Sequence, residues 1–170
     1  MPKRHLIGNR GEGWTVGKRL LQYERSSIGG MGGARQIVTT IDELAMMYLG
    51  EEDARIAHPG QRADIVEYNM NQHAYQLTMV RSMQEATTSK APTFMSSFFK
   101  VYGTSQNMRR QELAMSIVGN QGLGWVGDEF SPEERGTTRQ WLRSKANSIE
   151  GGSSEVMRNI VAKRILGLPD

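Results

Sequence analysis

Hydrophobic positions recur at helical intervals over most of the chain. Met31, Ala34, Val38, Ile41, Ala45 and Tyr48 form a stripe of 3.6-residue period, widened by Ile37 and Leu44. The pattern predicts helix from Trp14 to about Leu49, broken once at "SSIGGMGGA". A second helix is predicted from about Gln61 to Ala86, with Ile65, Tyr68, Tyr75, Met79, Met83 and Ala86 on one side and Gln72 interrupting them. A third opens with Pro92 near its first turn and reaches about Val118, where "GNQGLGW" ends it. A short helix near Pro132 to Trp141 then leads to a closing helix in which Val156, Ile160, Val161, Ile165 and Leu166 fall near helical spacing. No strand alternation interrupts this series. The pattern therefore predicts an all-α fold, an antiparallel four-helix bundle. Residues 14–170 form its single domain, after an extended lead-in over residues 1–13 with a glycine turn.

Composition changes the picture by exclusion. A chain of 170 residues can close one core, burying roughly 70% of its unfolded surface. The net charge of +3 comes from dispersed Lys and Arg with only 7% aromatic residues, which argues against a nucleic-acid surface. Cysteine is absent, and His5, His58 and His73 lack ligand spacing, so no metal site is expected. No apolar run approaches the ~18 residues that span a bilayer, and no leader pattern opens the chain. A cytoplasmic protein without membrane contact is the expectation. The eleven methionines sit mostly on the helical stripes and read as core filler.

Candidate chemistry concentrates near the C-terminus, in "SIEGGSSEVMRNIVAKRILGLPD". Gly151 and Gly152 interrupt helix at about 1 kcal/mol each relative to alanine, and they let backbone come close to a flat or charged group. Ser153 or Ser154 can cap the helix that follows, and Glu155 falls in its first turn, where the macrodipole favours an anion. The stretch is a loop delivered onto the start of a packed helix. Three carboxylates, Glu24, Glu150 and Glu155, stand beside glycine turns or on helices, and a glutamate in a dry pocket can serve as proton acceptor. Taken singly, each reads more cheaply as surface: Glu24 paired with Lys18 or Arg25, Glu155 as a helix N-terminal charge. The glycines of "SSIGGMGGA" follow no strand and do not fit a dinucleotide fingerprint.

Three segments, in order, resemble the acyl-CoA dehydrogenase family. The C-terminal stretch quoted above is similar to the family's ending, "PKRHLIGNRGEGWTVGKRLLQYER" to its passage from the β-domain into the C-terminal helical domain, and "FFKVYGTSQNMRRQELAMSIVG" to its third bundle helix. The resemblance implies that residues 1–13 end a β-domain and that the chain is a fragment lacking the family's earlier domains. It implies FAD as cofactor, an acyl-CoA thioester as substrate, an electron-transfer partner, and a homo- or hetero-oligomer. The implied reaction is α,β-desaturation, in which a glutamate takes the α-proton while the β-hydride passes to the flavin; the fragment alone is expected to be inactive. By position, Gly152, Ser153, Ser154 and Glu155 would contact FAD, and Ser116, Gly119 and Asn120 would reach a neighbouring subunit's FAD. Tyr23, Arg25 and Gly151 would contact substrate. Arg55 is the nearest match to the arginine of the family's R-x-x-F-G pattern, but His58 and Pro59 replace the Phe-Gly pair.

The resemblance also points to the base. Aligned on Arg158, the glutamate of the family's "YEGT" motif falls on Gly151, and Glu150 falls on the preceding aromatic position. The family's second solution, a glutamate before an arginine on the first bundle helix, is matched by Glu24 and Arg25. Glu24 is the expected base and Glu150 the alternative. The competing reading is a non-catalytic helical subunit that keeps the fold and the oligomer interface of a heteromeric acyl-CoA dehydrogenase.

Overall fold

A computed structural model describes residues 5–28, 39–87 and 94–169, with backbone alone at 22 and at 25–28. The predicted stripe over Met31, Ala34, Ile37 and Val38, the glycines of "SSIGGMGGA" and Pro92 lie outside the described residues. The elements are α1 (Gly13–Ile28), α2 (Ile41–Leu49), β1 (Glu51–Glu52), β2 (Arg55–Ile56), α3 (Pro59–Thr87), α4 (Met95–Val118), α5 (Pro132–Ser144) and α6 (Ser154–Ile160). The fold is all-α, as its periodicity predicts. None of the described helices is long and apolar enough to cross a membrane.

The middle of the molecule is α4, against which α1, α2, α3, α5 and α6 all pack. A helix surrounded in this way buries residues on several faces, and α4 encloses Phe99, Leu113, Ala114, Ile117 and Val118 together with polar Ser97, Lys100, Thr104 and Gln111. Toward its C-terminal end, Leu113, Ala114 and Ile117 close a core with Ile41 and Ala45 of α2, Ile56 of β2, and Ile65 and Tyr68 of α3. Toward its N-terminal end, Phe99 meets Tyr75 of α3 edge-to-face and Tyr102 stacks on that ring, Phe98 packs against Phe99 and Tyr102, and the Tyr75 hydroxyl donates to the Phe99 carbonyl at 3.1 Å. Burial pushes the Tyr75 phenol up to about 12.

Local chemistry sets the helix starts. Thr40 and Glu43 form a reciprocal capping box on α2, and Ser131 and Glu134 form another on α5, where Pro132 takes the first helical position. Glu134 also accepts from the Tyr48 hydroxyl at 2.9 Å, tying α5 to α2.

Four expectations shift in detail. The buried positions of α3 are Ile65, Tyr68, Tyr75 and Ser82, whereas Met83 is largely exposed; alternating steps of three and four residues carry the seam past Met79 to Ser82. The charged loop after α2 holds a minimal antiparallel hairpin pairing Glu51 with Ile56 and Glu52 with Arg55, turned at Asp53 and Ala54, both with positive φ. The closing helix is short, with Val156 exposed and Met157 fully enclosed, and a π-helical turn over Val161–Ile165 follows it and leaves Leu166 facing solvent. Among the described methionines, Met157 is enclosed, but Met46, Met47, Met70 and Met83 are exposed.

Candidate functional site

The turn between α5 and α6 is built from its glycines. Gly151 has φ 65° and Gly152 φ 99°, both left-handed, which no side-chain-bearing residue adopts without strain. Ser153 then leaves the left-handed region as the N-cap of α6, accepting from the Val156 amide at 3.4 Å. Ser154 is buried, and its hydroxyl donates to the Ser148 carbonyl at 3.2 Å, closing the turn on itself. Glu155 is exposed in the first turn of α6. Its own amide and the Ser153 hydroxyl hold its carboxyl below the ordinary value, helped by Arg158 at 3.8 Å and by the charge of Lys100.

Glu150 is bound into the frame of this turn. Its carboxylate accepts from Arg143 of α5 at 2.8 Å and from the Asn147 side chain, and Asn147 in turn accepts from Asn107 of α4 at 2.7 Å. Burial pushes the Glu150 carboxyl up, but the bonds from Arg143 and Asn147 and the charges of Arg143 and Lys100 outweigh it, and the net shift is downward. A carboxylate held in this way is a weakened proton acceptor.

Tyr23 and Glu24 lie on α1 with exposed side chains. Glu24 makes no hydrogen bond or ion pair with a described side chain, so the surface pairing with Lys18 is not formed. Arg25 belongs to α1 by its backbone, and its side chain is outside the described residues.

The remaining candidates gather elsewhere. Ser116 is exposed near the C-terminal end of α4 and donates to Gln61 at 3.2 Å. Gly119 caps α4 with φ 58°, and Asn120 is exposed in the single 3-10 turn that follows. Arg55 borders an open groove of about 830 Å³ along α3, with Arg62, Val66, Glu67 and Met70. The closing turn sits over α4 at Lys100, while Ser116 lies about 24 Å farther along the same helix at 1.5 Å per residue. The expected cofactor residues thus fall in two separated runs, Gly152 to Glu155 and Ser116 to Asn120, with Arg55 on the groove along α3. Among the described residues no cluster of His, Asp and Glu could hold a metal ion.

Sequence reasoning did not single out Lys100, Asn107, Arg143 or Asn147, which frame the turn. The available signal was the polar stripe Ser97, Lys100, Thr104, Gln111 at helical spacing inside a segment otherwise rich in apolar residues. A flavin fits the turn's chemistry in part: the two adjacent residues lack Cβ, but Gly151 is buried and Gly152 is only partly exposed, so a planar ring would approach the turn at Gly152.

The chain is 28% identical over 166 residues to acyl-CoA dehydrogenase IpdE1 of Mycolicibacterium smegmatis and, equally, to IpdE1 of Mycobacterium tuberculosis. It spans 39% and 40% of those proteins' lengths and is itself covered to 96% in both cases. Its fold superposes on a Tcur3481-Tcur3483 steroid ACAD with a TM-score of 0.77 at 22% identity, covering 99% of this chain and 43% of that one. It also superposes on a glutaryl-coenzyme A dehydrogenase in complex with glutaryl-CoA, with a TM-score of 0.72 at 17% identity, covering 99% and 42%. Residues 11–166 match the family described as acyl-CoA dehydrogenase, C-terminal domain, and the chain belongs to the acyl-CoA dehydrogenase family as that domain.

Proposed function

We propose that the chain contributes the C-terminal domain of an FAD-dependent dehydrogenase that desaturates a bulky acyl-CoA thioester. The observation that carries this reading is the turn at Gly151 and Gly152, two successive left-handed glycines ahead of a capped helix. FAD, when bound, supplies the acceptor for the hydride leaving the β-carbon. The chain's own residues do the rest. The bare backbone of Gly151 and Gly152 admits the ring and the thioester at close range. Glu24 takes the α-proton, at the position where the family resemblance puts the base, whereas Glu150 is tied to Arg143 and Asn147. The two separated groups of cofactor candidates support an arrangement in which one flavin meets the closing turn and a neighbour's flavin meets the region of Ser116 and Asn120. The Tcur3481-Tcur3483 steroid ACAD, whose fold this chain shares and whose name joins two proteins, supports a hetero-oligomer and a bulky thioester.

The test is anaerobic addition of acyl-CoA thioesters, steroid-derived and straight-chain, to the whole flavin-loaded protein. The reading expects loss of the visible flavin band with a bulky thioester and none with the matching free acid. A flavin that stays bound and oxidised with every thioester would contradict it and leave a structural subunit as the role.

A further inference from the structure

Lys100 is fully enclosed, at 0% exposure, in the middle of the first half of α4. Lysine is almost never completely buried unless its charge is answered, because desolvating an ammonium is costly. Its surroundings come from the closing turn. The ammonium lies 3.5 Å from the Ser148 carbonyl, the same oxygen to which Ser154 donates from the far side of the turn. Its charge also lowers the carboxyls of Glu150, directly before the glycine pair, and Glu155, three residues after it. Two turns along α4, on the same face, Asn107 donates to Asn147 at 2.7 Å, and Asn147 holds Glu150. The helix therefore grips segment 147–155 from beneath at two points, one of them charged.

We propose that Lys100 is a positioning residue: together with Asn107 it fixes the height and tilt of the Gly151–Gly152 backbone above α4. Its value to catalysis rests on the reading of that turn as the flavin and thioester contact, since a flat contact tolerates little vertical error. A methionine would fill the same buried space with an unbranched chain, but it would offer the Ser148 carbonyl no donor and the two glutamates no charge.

The experiment compares Lys100→Met and Asn107→Ala with the unaltered chain by amide hydrogen exchange and by carboxyl NMR of Glu150. Lys100→Met is expected to speed exchange at residues 149–153 by at least about tenfold while the α3 amides keep their protection. It is also expected to raise the titration midpoint of Glu150, whose remaining neighbours are Arg143 and Asn147. Should Lys100→Met not fold, Asn107→Ala decides, with the same local acceleration expected. Unchanged turn protection, or equal acceleration in α3 and the turn, overturns the proposal. These readouts need no flavin, so a failure of the proposed reaction would leave a locally loosened turn visible, and the two failures can be told apart.

Discussion

At Glu150, burial and its partners pull in opposite directions, and the partners win. The sign of the pH effect follows. A carboxyl whose folded value lies below its ordinary 4.5 stabilises the fold fully above that value. The contribution fades as pH falls through the lowered folded value. Glu150→Gln is therefore expected to shrink the loss of thermal stability between neutral pH and about pH 3, read by circular dichroism. An identical acid profile in the variant would show that the Arg143 pair contributes nothing. The same pairing bears on catalysis. In the whole enzyme, Glu24→Gln is expected to slow flavin reduction by at least about a hundredfold, the usual contribution of a positioned base, and Glu150→Gln by much less. Stopped-flow traces with the reverse order would move the base to Glu150. The glycine pair was legible in the sequence because left-handed backbone is a property of one residue at a time. Lys100 was not, because a single lysine between Phe99 and Val101 gives no sign of which elements will close over it.

At the scale of elements, what the sequence displayed depends on length and period. The long helix α3 and the end of α4 at Val118 follow from periodicity and from the glycines beyond it. The β1–β2 hairpin was hidden, since two-residue strands have no period and Asp53-Ala54 is not the usual turn pair. The stripe of the closing helix was extended through a π-helical turn that rotates everything after Ile160, which puts Leu166 in solvent; within α6 itself the spacing chose Val156, one residue from the enclosed Met157. Met157, fully enclosed, marks the true inward face. Met157→Ala is expected to cost about 2–5 kcal/mol by denaturant titration, whereas Val156→Ala, on the exposed side, should cost well under about 1 kcal/mol. Equal costs would place the helix in the register its hydrophobic spacing suggested. Ser131→Ala, which removes the Glu134 amide's acceptor and half of the capping box, is expected to cost about 1 kcal/mol.

Over the whole molecule, the outer face of α3 leaves Val66, Met70, Leu77 and Val80 about half exposed or more, at helical spacing. Leu123, Trp125 and Val126 add a second exposed apolar segment beyond α4. Stripes of this kind mark surfaces that meet other protein. Light scattering at micromolar concentration is expected to give a mass above that of one chain, lowered toward it by Met70→Glu with Leu77→Glu; a strict monomer at the outset would count against association through this face. Where the flavin sits is measured directly by a structure of the whole protein with FAD and an unreactive acyl-CoA analogue. The account predicts a flavin ring in van der Waals contact with Gly151 and Gly152, and a neighbour's flavin at Ser116 and Asn120. A flavin bound elsewhere, with residues 149–155 open to solvent, would contradict it.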